Sequence, residues 1–121
     1  MSDNKTLRIL DKTHFRRIVG ESHSKRTGIR LADAFSTQST QIIGDINTLL
    51  NIDPPSEADI RGLLHRLQGS AEILGASRLS ALVLHLLKDD QDNFCTVLRS
   101  TLPSLVKAID ETQAEIQALA G

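Results

Sequence analysis

Ser56-Glu57-Ala58-Asp59-Ile60-Arg61-Gly62-Leu63-Leu64-His65-Arg66-Leu67-Gln68-Gly69-Ser70-Ala71-Glu72-Ile73-Leu74-Gly75 is the stretch on which the fold turns. At roughly 100° per residue, Ile60, Leu63, Leu64, Leu67, Ala71 and Leu74 fall within about 40° of one direction, which is the apolar stripe of a core-facing helix. Pro54-Pro55 stands before it and excludes a continuous helix from upstream. Ser56 has the chemistry of an N-cap, Asp59 suits the positive end of the helix dipole, and Gly75 suits the stop.

Working outward, the same period recurs. Leu7 to Val19 reads as a short amphipathic helix carrying Leu7, Leu10, Phe15, Ile18 and Val19, followed by a polar, flexible stretch from Gly20 to Gly28. A helix from about Ile29 to Leu50 carries Phe35, Ile42, Ile46 and Leu49 on one face. Ser77 can cap a helix from Arg78 to Lys88 with Leu79, Leu82, Val83, Leu86 and Leu87. After the polar turn Asp89-Asp90-Gln91-Asp92-Asn93, with Asp92 or Asn93 as cap, the last stripe is Phe94, Val97, Leu98, Leu102, Leu105, Val106, Ile109, Ile116 and Leu119. Pro103 inside it predicts a kink or a fresh start near Ser100 or Thr101. No run alternates in the strand manner, so the chain reads as all-α. Short connections make successive helices antiparallel: an up-down-up-down four-helix bundle over 29–121, with the N-terminal helix and its connection over 1–28 packed at one end of a single domain.

Composition narrows the function. The 121 residues are 40% hydrophobic and 2% aromatic, with 14 Lys+Arg against 15 Asp+Glu. That balance lacks the basic excess of a nucleic-acid binder, and the scarce aromatics offer no platform for stacking bases. Apolar runs such as Leu79 to Leu87 fall well short of the roughly 20 residues that span a bilayer, and Met1 to Arg8 has no signal-peptide character. Cys95 is the single cysteine, so an internal disulfide is excluded and a reducing compartment fits.

His65 is the residue that the core stripe leaves over, about 140° away from it. Gly62 precedes it by three residues and Gly69 follows it by four, which places a glycine one turn below and one turn above the imidazole. A glycine inside a helix costs about 0.8–1 kcal/mol relative to alanine, so something other than helix stability selects this pair. Bare turns on either side make the ring reachable by a bulky partner.

His65-Arg66-Leu67-Gln68-Gly69-Ser70-Ala71-Glu72-Ile73-Leu74-Gly75-Ala76 resembles the signature of histidine-containing phosphotransfer (HPt) domains. There the histidine is followed by x-x-Lys-Gly, a small residue, and later a glycine with a small or apolar neighbour. The helix pattern and the Leu10-Asp11 lead-in extend the likeness over most of the chain, and are similar to the modules that end bacterial hybrid sensor kinases. Gln68 departs from the family's lysine.

The resemblance implies that His65 accepts a phosphoryl group from a receiver aspartyl phosphate and passes it to another receiver's aspartate. It implies a phosphocarrier in two-component signalling rather than an independent enzyme, with no cofactor of its own and Mg2+ on the partner receiver. Gln68 keeps an amide able to donate to the phosphoryl group or the receiver but brings no positive charge, for which Arg61 or Arg66 are the local substitutes. Gly62, Gly69, Glu72 and an outward Ile73 are expected with those arginines in the receiver-docking surface, bordered by the second helix at Gln38 or Gln41. The expected setting is cytoplasmic and monomeric, in a module excised from a membrane-bound hybrid kinase, without direct membrane contact.

The other histidines carry less. His14, His23 and His85 form no i, i+4 pair and none is matched with the cysteine, so zinc has little support. No nucleophile elbow or glycine-rich phosphate loop is present. The competing reading is a non-catalytic helical interaction or dimerisation domain in which His65 is one surface residue among others.

Overall fold

The apolar stripes close into five α-helices in the computed structural model, which describes residues 8–19, 25–88 and 93–120: α1 (Lys12–Val19), α2 (Lys25–Leu50), α3 (Glu57–Leu74), α4 (Ser77–Lys88) and α5 (Phe94–Ala120). Among the described residues there is no strand, and no helix long and apolar enough to cross a membrane. Each of α2 and α4 packs against both α3 and α5, and the four enclose one core. Its largest fully buried members include Phe94, Ile42, Ile46, Ile60, Leu64, Leu67, Leu79, Leu86, Leu98, Leu105 and Ile116.

Several boundaries and contacts differ from the sequence expectation. The helix before α2 starts at Lys12, because Asp11 caps it: its carboxylate accepts from the His14 backbone N–H at 3.1 Å. Leu10 is buried ahead of that helix, and Leu7 lies outside the described residues. Lys25 to Gly28 belong to α2 rather than to a linker, since a polar first turn needs no apolar period; the remainder of that stretch, and Asp89 to Asp92, are likewise outside the described residues. Ser56 has extended cap geometry, yet its side-chain oxygen accepts no backbone N–H of the helix; its hydroxyl donates to the Asp59 carboxylate at 2.8 Å. Ser77 already belongs to α4, and its hydroxyl donates to the Gly75 carbonyl.

Helix α5 passes through Pro103 without restarting. Proline removes the bond to the carbonyl of Arg99, and both residues lie on the exposed face where water can replace it. Val106, expected in the core, is exposed at 41%. It flanks the Leu105 row instead of pointing along it. The Arg99 guanidinium donates to the Leu50 carbonyl at 2.7 Å, satisfying the end of α2.

Gly75 fixes the junction between α3 and α4. Its φ of 81° lies in the left-handed region, its N–H donates to the Glu72 carbonyl, and the Ala76 N–H donates to the Ala71 carbonyl, which together form a Schellman stop. The N-terminal segment rests on this corner. The Asp11 N–H donates to the Gly75 carbonyl at 2.7 Å, the His14 Nε2–H donates to the Ile73 carbonyl at 2.9 Å, and Leu10, Phe15 and Val19 are buried. A Cβ at Gly75 would meet His14 Cδ2 at 3.0 Å and the Asp11 carbonyl oxygen at 3.2 Å. Gly75→Ala is therefore expected to lose about 1–3 kcal/mol of stability, from the backbone strain and the displaced N-terminal segment together. Urea unfolding of the two proteins checks this, and equal midpoints would contradict it.

Candidate functional site

Helix α3 presents its core stripe as the sequence predicts: Ile60, Leu64, Leu67, Ala71 and Leu74 are buried, and Leu63 is half-buried. His65 is consequently exposed on the opposite side. Gly62 and Gly69 are exposed too, and a Cβ built on either meets no atom within 4 Å. The chain's own packing thus gives no reason for either glycine. What they leave is an open strip of backbone on both sides of an accessible imidazole.

The flank of this strip toward α2 is a groove lined by Asp45, Thr48, Leu49, Asp59, Gly62 and Arg66. Farther along, Ile73 is 66% exposed and borders a second hollow with Leu31, Phe35, Gln38 and Ser70. The Ser70 hydroxyl donates to Gln38 Oε1 at 2.9 Å, which places Gln38 against α3; Gln41 lines an adjoining hollow on α2 with Gln38. Sequence reasoning missed the α2 wall at Asp45 and Thr48. Its available signal was Gly44, a third helix-interior glycine with nothing within 4 Å of its Cβ position.

The flank toward α4 is polar and closed. Gln68 is buried, 7% exposed, and its Nε2 donates both to the Glu72 carboxylate and to the Ser80 hydroxyl on α4. Both amide hydrogens are spent inside the chain in this arrangement, so the expected donation from Gln68 to a phosphoryl group or a receiver has no hydrogen left to use. The reason is rotation: Gln68 sits about 60° from His65 around the helix, on the side that α4 covers.

Arg61 is also engaged within the chain. Its Nε pairs with Glu57 at 2.9 Å, its Nη1 donates to the Leu87 carbonyl at 3.2 Å, and the guanidinium lies 4.0 Å from the centroid of the Phe94 ring. This ties the first turns of α3 to the end of α4 and the start of α5, a stacked geometry that lysine would not reproduce. Arg66, by contrast, is exposed and lines the α2 groove. It is the basic side chain placed beside the open strip.

The structure thus brings together His65, Gly62, Gly69, Arg66, Glu72 and Ile73 on one accessible side of α3, while Gln68 and Arg61 turn toward α4. No group of three or more His, Cys, Asp or Glu residues that could hold a metal ion occurs among the described residues. His14 is committed to the Ile73 carbonyl, and His85 is exposed on α4.

Among curated proteins and among solved structures, none matches the chain. A family model does: that of the Hpt domain, over residues 30–121. This span starts within α2 and takes in the rest of that helix and all of α3, α4 and α5, together with His65 and both of its glycines. By that match the chain belongs to the Hpt domain family, whose members carry out histidine phosphotransfer with the receiver domains of response regulators.

Proposed function

We propose that His65 is the phosphoacceptor, that it takes its phosphoryl group from a receiver aspartyl phosphate, and that it gives it to the aspartate of another receiver. The observation that carries this reading is the exposed imidazole between two helix-interior glycines whose Cβ positions are both empty. A receiver must bring its aspartate in line with the ring nitrogen, and phosphoryl transfer depends mainly on such positioning and on charge stabilisation. A bare helix surface lets the receiver's backbone approach without moving a side chain aside.

In the forward step a ring nitrogen's lone pair forms the N–P bond while the acyl-phosphate P–O bond breaks, leaving its electron pair on the aspartate carboxylate. The other ring nitrogen keeps or releases its own proton. The return step reverses these changes on a second receiver. Mg2+ and the aspartate belong to the receiver in this reading. This chain supplies the nucleophile, the open approach and Arg66, a basic side chain at the groove, in place of the charge that Gln68 lacks.

The reading includes a single domain in the cytoplasm, its four longer helices running up-down-up-down, that acts as a monomer within a bacterial hybrid sensor kinase. Incubation with a phosphorylated receiver tests the central claim. The expected product is one phosphate per chain, acid-labile and alkali-stable, with the aspartyl phosphate consumed in step. Receivers that bind yet leave the chain unlabelled would favour the interaction-domain reading. A second test concerns Arg66: Arg66→Ala is expected to weaken receiver binding about threefold or more and to flatten its salt dependence. Unchanged affinity across salt concentrations would remove Arg66 from the surface.

A further inference from the structure

Gln68 makes contacts that the transfer reaction does not use. Its Nε2 donates to Glu72 and to Ser80, with the Ser80 bond at 2.8 Å, while its Oε1 is buried with no hydrogen-bond partner. The amide is therefore oriented by the two groups that accept from it, and one of these is the carboxylate of the exposed Glu72. The unpaired Oε1 means that turning the amide away breaks no bond at that atom.

Side chains on a helix lean toward its N-terminus. Glu72 accordingly reaches back four residues to Gln68, and Gln68 stands one helical turn beyond His65, a spacing at which side chains are neighbours on the helix surface. A phosphoryl group on His65 is a second anionic acceptor for the same Nε2 hydrogens. Glu72 and the phosphoryl group then compete for one donor, and Glu72 holds it before the phosphoryl group arrives.

We propose that Glu72 is a positioning residue that acts through Gln68: by retaining the amide it denies the phosphohistidine a stabilising donor, so that the phosphoryl group is short-lived on His65 and readily passed on. This rests on His65 being the phosphoacceptor. The pair Gln68 and Glu72 thereby sets how long the phosphoryl group stays on this chain before a receiver takes it. Ser80 holds the second amide hydrogen and keeps Gln68 against α4 during the exchange.

Phosphoramidate provides a test without any receiver. Its P–N bond breaks as the N–P bond to His65 forms, and ammonia leaves carrying the proton lost from the ring. The half-life of the phosphohistidine is then followed in the full chain, in Glu72→Ala, in Gln68→Ala and in the double variant. Glu72→Ala is expected to lengthen the half-life about fivefold, and to shift the NMR resonances of the Gln68 side-chain amide before any phosphate is added. In the Gln68→Ala background the Glu72 substitution should have no effect. An unchanged half-life in Glu72→Ala, or the same lengthening without Gln68, overturns the proposal. A wild-type chain that forms no phosphohistidine at residue 65 instead overturns the reading beneath it, and the proposal with it.

Discussion

Gly69→Leu gains stability and loses transfer. The gain follows from α3 alone: leucine exceeds glycine in helix propensity by about 0.8 kcal/mol, and the substituted Cβ enters space in which no atom lies within 4 Å. The loss follows from what the vacancy is for. A branched side chain one turn above His65 stands where the receiver's backbone has to come, and a displacement of about 1 Å at the reacting atoms is enough to slow a positioned reaction by about a hundredfold. Single-turnover transfer from a phosphorylated receiver should therefore fall about a hundredfold or more while the urea midpoint rises. Gly69→Ala, adding only the Cβ, should keep the stability gain with a much smaller loss of rate. Opposite signs for stability and transfer in the same variant are what separate a docking surface from a structural glycine, where both would fall together. If Gly69→Leu transfers at the wild-type rate, the two glycines lose their functional explanation.

How much of this was legible in the residues depended on whether a side chain's fate is set by its own helix or by its neighbours. The stripe Ile60, Leu64, Leu67, Ala71 and Leu74 is a matter of period within α3, and all five are buried. The outward positions of His65, Gly62, Gly69 and Ile73 follow from the same wheel. Gln68 shows the limit. It lies close to His65 in angle, so period alone places it at the site, but the side of α3 on which it falls is the side covered by α4, and Ser80 is twelve residues away in sequence. Arg61 fails for a similar reason, because its partners Leu87 and Phe94 are contributed by other helices. The groove wall at Asp45 and Thr48 depends on how α2 lies against α3, which no single-helix pattern encodes. Asp11 is different: its capping of α1 is local chemistry, visible in principle as an aspartate three residues ahead of His14.

His65→Gln should abolish phosphorylation altogether while leaving the fold intact, and here the other histidines make the outcome informative. Exposure does not distinguish the acceptor, since His85 on α4 is exposed as well. Surroundings do. His85 is neighboured in sequence by Leu84 and Leu86 and has no glycine one turn away on either side, so a receiver approaching it meets side chains rather than backbone. His14 has its Nε2 engaged at the Ile73 carbonyl and sits over Gly75, which together leave the ring held against the chain. His65 alone among these three is flanked by helix-interior glycines on both sides, so the loss of phosphate in His65→Gln should be complete rather than partial. The substituted side chain lies on the exposed face of α3 and touches none of the core, so the helical circular dichroism and the urea midpoint should remain within about 0.5 kcal/mol of wild type. Phosphate that persists in His65→Gln and disappears in His85→Gln would move the acceptor to α4, and with it the whole interpretation of the bare strip on α3.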